Sequence, residues 1–330
     1  MKILLTGIGG FIGYHVANRF LQKGIQIVGV DNFNNYYNPQ LKLDRVGSLL
    51  QENLTIRTLD ISNYSDVEEL FRENAGFNMV VHLAAQTGVR HSVEFPHMYI
   101  RSNINGFFNV LHLSKEYRVP RFIYASTSSV YGEYLPPWEE TMCTNRPISL
   151  YGATKIANEV LAQSYFKMFE KNKMIMIGLR FFTVYGPWGR PDMAFWLWTK
   201  AILEDQPVIL YNFGKSERSF TYIDDIVNGV EACIDKNNLG VDHFLINLGN
   251  PQSWKINDVV NMIANYLGKK ADKLRLPLPI GDVAATTADV KRAERILGFS
   301  PSTPLQVGLQ KFVDWFIWYK ENCKERGVPW

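Results

Sequence analysis

Cysteine is scarce in this chain: three residues in 330, at Cys143, Cys233 and Cys323. Their number is odd and their spacing fits neither a zinc site nor a redox pair. That argues against a disulfide framework and against a thiol-based metal centre. Long hydrophobic runs are also missing. No apolar stretch reaches the roughly 18 residues that cross a bilayer, and the greasiest cluster, Phe195-Trp-Leu-Trp198, is bounded by Asp192 and Lys200. Charge of one sign is lacking too, because 35 basic and 32 acidic residues leave a net charge of only +3. Without a Lys/Arg block, neither nucleic acid nor a membrane surface is implied as a partner. Glycine at residue 7 interrupts the apolar start, so no cleavage-type signal is read and a cytoplasmic location is expected. There is no internal repeat and no low-complexity tract. What remains is 46% apolar and 20% charged, the balance of a soluble globular protein long enough to bury a sizeable core.

The first strand-like run, Met1-Lys-Ile-Leu-Leu-Thr6, leads straight into Gly7-Ile-Gly-Gly10-Phe-Ile-Gly13 and then a helical stretch, Tyr14–Gln22. The spelling is Gly-x-x-Gly-x-x-Gly, with Ile12 where the commoner pattern has its last glycine. Each glycine has a physical task. Gly7 permits the tight strand-to-helix turn, Gly10 lets backbone approach a pyrophosphate at the helix N-terminus, and Gly13 allows close packing on the sheet. A second strand, Ile25–Val30, ends at Asp31. An acid about twenty positions after the glycines suits a ribose 2′-hydroxyl and repels a 2′-phosphate, which favours NAD over NADP.

Strand and helix then alternate. Strands are expected at Leu54–Leu59, Phe77–Leu83, Arg121–Ala125 and Met174–Leu179, with helices at Tyr64–Asn74, Tyr99–Tyr117 and Ser149–Phe169. Repeated strand–helix units predict an α/β fold, a Rossmann-type doubly wound parallel sheet covered on both faces. Ligands in such folds bind beyond the carboxyl ends of the strands. Gly7, Asp31, Asp60, Ala84-Ala85 and Ser126-Thr127 all fall there. From about residue 183 prolines and aromatics thicken. Helices are expected at Asp192–Glu204, Asp224–Asp235, Ile256–Leu267, Ala288–Leu297 and Pro304–Asn322. The chain is therefore divided into residues 1–182, a dinucleotide-binding domain, and 183–330, a smaller C-terminal α/β substrate domain with some elements returning to the sheet. Asp224-Asp225 read as the acidic first turn of a helix rather than as metal ligands. No metal is expected. His82 and His91 stand isolated and read as structural.

Tyr151 and Lys155 sit one helical turn apart in Ser-Leu-Tyr-Gly-Ala-Thr-Lys, with Thr127 upstream. A free tyrosine has a pKa of about 10, and an opposite charge within reach lowers a pKa by roughly 1–3. A phenol beside an ammonium group is thus suited to taking a proton from an alcohol or sugar hydroxyl.

Together, Gly7-x-x-Gly10-x-x-Gly13, Leu83-Ala-Ala85, Ser126-Thr127, Tyr151-x-x-x-Lys155 and Arg180-Phe-Phe182 resemble the extended short-chain dehydrogenases that modify nucleotide sugars, the NAD-dependent epimerase/dehydratase family. Within it, Thr183-Val-Tyr-Gly-Pro-Trp-Gly-Arg-Pro-Asp-Met193 is most similar to the UDP-glucuronate 4-epimerase branch. Gly88-Val-Arg90 and Phe220-Thr-Tyr-Ile-Asp-Asp225 agree with it. The resemblance implies a catalytic set of Thr127, Tyr151 and Lys155. It implies NAD held by Gly7, Gly10, Phe11, Ile12 and Gly13, with Asp31, Asn32, Asp60 and Ile61 along the second and third strand ends. Leu83, Ala84, Ala85, Asn103, Ser126, Phe181 and Val184 complete that expectation. The UDP-sugar falls to Arg90, Thr127, Ser128, Ser129, Thr183 and Arg190, with Tyr211 flanking the base, Arg218 on the diphosphate and Asp282 at the ribose.

The implied reaction is C4 epimerisation through a 4-keto sugar, converting UDP-glucuronate to UDP-galacturonate for surface polysaccharide. In the family's 4,6-dehydratases acids follow the Thr127 position; here stand Ser128 and Ser129, which disfavours dehydration. The alternatives are epimerisation of UDP-glucose or UDP-GlcNAc, decarboxylation of UDP-glucuronate, and a non-catalytic NAD-binding sensor. A homodimer formed through the helices 99–117 and 149–169 is expected. Two positions depart from the pattern: Ser219 replaces an acid, and Leu278-Pro-Ile280 replaces Gln-Pro before Gly281-Asp282.

Overall fold

The computed structural model describes residues 1–169, 174–235 and 240–330. Strands β1 (Lys2–Thr6), β2 (Gln26–Asp31), β3 (Leu54–Thr58), β4 (Met79–His82), β5 (Arg121–Thr127) and β6 (Ile175–Phe181) come from the first half of the chain. Short strands β7 (Thr183–Tyr185), β8 (Val208–Leu210), β9 (Glu217–Arg218) and β10 (Phe220–Tyr222) follow, then β11 (His243–Leu248), β12 (Trp254–Lys255) and β13 (Lys273–Arg275). Seven of these build one sheet in the order β11-β6-β5-β4-β1-β2-β3, parallel throughout. The remaining strands pair two by two, β7 with β10, β8 with β13 and β9 with β12.

Runs such as Lys-Ile-Leu-Leu-Thr and Ile-Met-Ile-Gly-Leu-Arg-Phe bury nearly every residue. That continuous pattern belongs to strands covered on both faces. The covering helices are α1 (Phe11–Gln22), α2 (Pro39–Gly47), α3 (Tyr64–Glu73), α4 (His91–Glu94), α5 (Pro96–Tyr99), α6 (Phe107–Glu116) and α7 (Leu150–Met168). The second half adds α8 (Ala194–Leu203), α9 (Ile223–Asp235), α10 (Ile256–Tyr266), α11 (Lys291–Leu297) and α12 (Leu305–Glu325). Phe20 of α1 is fully buried, and a side chain of that kind contributes roughly 1.5–3 kcal/mol.

The expected helix 99–117 is not one regular helix. Residues Ile100–Gly106 form a π-helical segment between α5 and α6. Wide turns of this kind often mark functional places. A Cβ on Gly106 would lie 2.7 Å from Ile61 Cγ1, so the segment packs hard against the end of β3. Helix α2 was not expected, because Lys42, Asp44 and Arg45 dilute its apolar stripe. Its start is nonetheless well made, with Pro39 at the first turn and Asn38 accepting from Gln40 N–H. The division at residue 182 is crossed by β11, which adds to β6 in parallel.

Candidate active site

The parallel register brings the strand ends together: Thr6 lies opposite Val30 and His82, Thr127 opposite Phe181, and Phe181 opposite Leu248. Above them opens a cavity of about 390 Å³. The glycine turn forms one wall. Gly7 has φ of +80°, and a Cβ there would lie 2.7 Å from Ala84 N. A Cβ on Gly13 would run into the Gly7 carbonyl oxygen. Both neighbours are backbone and cannot yield, so only glycine fits. Gly10 caps α1 with no side-chain acceptor, and Phe11, Ile12 and Gly13 line the cavity. First-turn amides left in this way suit a diphosphate.

Asp31 stands at the end of β2, its Oδ2 accepting from Gly9 N–H at 3.1 Å and its Oδ1 from Phe33 N–H at 2.8 Å. Lys42 Nζ lies 3.6 Å away and also donates to Asn34 Oδ1. The acid is thus fixed by backbone and balanced by a lysine. These features fit a dinucleotide: amides for its phosphates, Asp31 for a ribose hydroxyl, and an apolar wall of Leu83, Ala84, Ala85, Phe181 and Val184.

Asn32, Asp60, Ile61 and Ser126 line the cavity as well. Asn103 does not. The π-helical segment turns its carboxamide behind the wall, where Oδ1 accepts from Gln86 N–H at 2.7 Å. Its Nδ2 donates to the Gln86 carbonyl and to Thr154 Oγ1. Asn103 therefore braces the loop after β4 against α7 instead of facing a cofactor.

Tyr151 and Lys155 project from the first turns of α7, a helix started by Ser149 Oγ accepting from Gly152 N–H at 3.0 Å. Thr127, Ser128, Ser129, Thr183 and Arg190 line the same cavity. Burial raises the Tyr151 pKa above its ordinary value, and the Arg190 charge and a hydrogen bond with Thr127 pull it back down. Lys155 was expected to supply that pull. Instead its ammonium donates to the Ala125 carbonyl at 2.9 Å, and the cation acting on the phenol is Arg190. Burial also lowers Lys155 to about 8, against the opposing influence of Glu159.

Arg190 is anchored by Asp192, with Nε to Oδ1 at 2.9 Å, and Tyr36 donates to the same carboxylate at 2.9 Å. Glu159 accepts from Arg180 at 2.7 and 2.9 Å and from Ser126 Oγ at 2.6 Å, all nearly without exposure. Sequence reasoning missed Glu159, Lys42, Tyr36 and Asp192. The i, i+4, i+8 spacing of Tyr151, Lys155 and Glu159 was the available signal for the first.

Four residues assigned to the nucleotide meet each other outside the cavity wall. The Arg90 guanidinium lies 4.0 Å over the Tyr211 ring, and Asp282 receives Arg218 at 2.8 Å and Arg90 at 3.8 Å. Val89 and Gly281 join this cluster to the cavity, since a Cβ on Gly281 would sit 3.3 Å from Val89. Ser219 is fully buried, donating its hydroxyl to the Asn250 carbonyl, while Ile280 is 92% exposed. His82 is buried and neutral, its pKa lowered to about 3 by burial, with Nδ1 on Thr6 Oγ1 at 2.9 Å. His91 stacks on Phe95 and meets the Tyr36 ring edge-on. Asp225 accepts backbone N–H groups from Ser302 and Thr303.

Fold and site together define a dinucleotide-dependent enzyme. A family model described as the NAD dependent epimerase/dehydratase family matches residues 3–249, and the chain belongs to that family. NAD is its cofactor. The chain is 42% identical to "Protein CapI" of Staphylococcus aureus, over 97% of this chain and 99% of that protein. It is 40% identical to UDP-glucuronate 4-epimerase 4 of Arabidopsis thaliana, over 98% of this chain and 77% of that one. Among solved structures, the UDP-glucuronic acid 4-epimerase of Bacillus cereus in complex with UDP-glucuronic acid and NAD superposes with a TM-score of 0.90. That match is 35% identical and covers 97% of this chain and all of the other.

Proposed function

We propose that this protein interconverts UDP-glucuronate and UDP-galacturonate by inverting C4, as an isomerase with no net redox change. The observation that carries this reading is the ring of uncharged hydroxyls, Thr127, Ser128, Ser129 and Thr183, gathered with Arg190 on the cavity that holds Tyr151. Similarity to UDP-glucuronate 4-epimerases of plant and bacterial origin supports it.

NAD, which the glycine turn 7–13 and Asp31 would hold, would supply the hydride acceptor and donor for C4. Everything else falls to the chain. Tyr151 as phenolate takes the proton of the 4-hydroxyl and later returns it, while Thr127 hydrogen-bonds the same oxygen. Arg190 favours the phenolate by its charge. Lys155, held by the Ala125 carbonyl and kept charged by the nearby Glu159, keeps a cation beside the cofactor. The 4-keto acid is prone to lose carbon dioxide when its C5–C6 bond aligns with the carbonyl π-system. Neutral hydrogen bonds from Ser128, Ser129 and Thr183 hold the carboxylate out of that alignment without adding a charge to be moved on turnover. Arg90, Tyr211, Arg218 and Asp282 receive the UDP end, where a guanidinium suits a diphosphate.

The protein further works as a homodimer in the cytoplasm. Phe108 and Val160, apolar and exposed on α6 and α7, support pairing through those helices. The exposed free thiol of Cys143 suits a reducing compartment. No helix among the described residues is long and apolar enough to cross a membrane.

The test is to incubate the purified protein with UDP-glucuronate and, separately, with UDP-glucose and to identify the products. UDP-galacturonate from the first, with little turnover of the second, is expected. A pentose as main product overturns the reaction assigned, and turnover of UDP-glucose alone overturns the substrate.

A further inference from the structure

Arg45 is a fully buried guanidinium with no carboxylate paired to it among the described residues. It sits in the last turn of α2, outside the cavity lining. A guanidinium has five N–H donors in a rigid fork, and here all five are used. Nη1 donates to the Gly9 carbonyl at 2.9 Å and to Tyr37 Oη at 2.7 Å. Nε and Nη2 both donate to the Trp188 carbonyl, at 3.1 and 2.6 Å, and Nη2 reaches the Gly189 carbonyl at 3.1 Å.

The three segments so joined have different tasks. Gly9 lies inside the glycine turn that faces the cofactor's phosphates. Tyr37 belongs to the strap after β2. Trp188 and Gly189 belong to the stretch between Thr183 and Arg190, two residues that line the sugar end of the cavity. Trp188 has φ of +61°, a left-handed conformation that a tryptophan seldom adopts. Something must hold it there, and its carbonyl takes two of the five bonds. A second tie runs parallel: His15 of α1, kept neutral by burial, donates to the Pro187 carbonyl at 2.9 Å. A buried charge without an acid is costly in the free protein. An anionic diphosphate at the start of α1 offsets that cost, so cofactor binding and the Arg45 fork stabilise each other.

From this geometry we infer that Arg45 is a positioning residue that couples the seating of the cofactor to the placement of Thr183 and Arg190 against the sugar. The two ends of the cavity are then not independent. Loading the glycine turn firms the segment 187–192, and loosening Arg45 frees that segment while leaving the cofactor loop itself in place. The consequence for product selectivity rests on the epimerase reading above; the coupling does not.

The experiment is amide hydrogen exchange on the full chain with and without saturating NAD, for the parent, Arg45→Lys and Tyr37→Phe. Lysine keeps the charge but has three donors and no fork, and Tyr37→Phe removes a single acceptor should the first variant fold poorly. In the parent, NAD is expected to slow exchange in both 7–13 and 187–192. In Arg45→Lys the slowing at 7–13 persists, while that at 187–192 shrinks at least about fivefold, the low end of typical coupling between sites. Tyr37→Phe lies between the two. Equal responses in parent and Arg45→Lys, or a 187–192 segment indifferent to NAD in the parent, overturn the inference. With UDP-glucuronate, the pentose share of product should rise in Arg45→Lys. If the parent turns over no UDP-glucuronate, the substrate assignment fails and the exchange data still decide the coupling.

Discussion

Glu159 lies one turn beyond Lys155 on α7, and it is the anion that resists loss of the Lys155 proton. Arg180 and Ser126 hold its carboxylate in place. The arrangement matters because burial has already brought Lys155 down to about 8, close to working pH.

Removing that anion shifts a pH limb in a known direction. In the proposed mechanism the working amine is the charged one, so activity should fall as pH rises through the Lys155 pKa. Glu159→Gln lowers that pKa further and moves the alkaline limb of the kcat profile down. A shift of one unit corresponds to a roughly tenfold loss at a pH above the limb. The thermal midpoint should be followed alongside, since Arg180 is left unpaired. An alkaline limb that stays where it was would remove Glu159 from the proton balance.

Arg190 acts on the opposite limb. Its charge lowers the Tyr151 pKa, and the base proposed above is the phenolate. Arg190→Met lets burial dominate, so the acid limb of kcat/KM moves up, by about 1 unit or more. Tyr151→Phe, measured beside it, loses about 10²–10⁴ in kcat at all pH values. Coincident acid limbs in parent and Arg190→Met would show that the guanidinium does not tune the phenol.

We propose that cofactor choice rests on the Asp31–Lys42 pair. Asp31→Ser removes the charge that repels a 2′-phosphate and frees the Lys42 ammonium, 3.6 Å away, to receive one. The NAD-to-NADP preference should fall by at least about tenfold, a difference of 1.4 kcal/mol. Adding Lys42→Ala should take back most of the gain in NADP binding. Fluorescence titration with the two cofactors reads both effects.

In the proposed reading, selectivity between epimer and pentose depends on the hydroxyl clamp. Thr183→Ala and Ser128→Ala each delete one neutral hydrogen bond, worth about 0.5–1.5 kcal/mol. UDP-pentose should appear among the products, its share rising up to about tenfold. Slower variants that still yield epimer alone would show that the carboxylate is restrained elsewhere.

The sheet was legible because most of its strands are apolar on both faces and end in residues with chemical meaning. Gly7, Asp31 and Tyr151 each mark a turn, a strand end or a helical spacing that local chemistry reveals. The π-helical segment was not, since Ile100–Gly106 keeps a helix-like pattern while its hydrogen bonds widen; Asn103 was therefore assigned to the wrong side of the wall. Helix α2 was overlooked because Lys42 and Arg45 interrupt its apolar stripe, yet both are buried, Lys42 beside Asp31 and Asn34 and Arg45 against the distant Trp188 and Gly189. The same holds for Tyr36 and Asp192, which are 156 residues apart in the chain. Contacts of that range carry no local periodicity. The Lys155–Ala125 bond also escaped, because spacing on a helix says nothing about which strand carbonyl an ammonium will find.

The parallel addition of β11 to β6 sets an order for synthesis on the ribosome. When residue 182 has been made, every glycine, acid and hydroxyl of the first half exists, but β6 still presents an unpaired, largely apolar border. Such a border invites pairing with another nascent chain. It is closed only after about sixty further residues, when His243–Leu248 emerges. The chain thus carries its cofactor half through a stretch of translation as a vulnerable intermediate, and a fragment ending at 182 should aggregate where the whole protein stays dissolved.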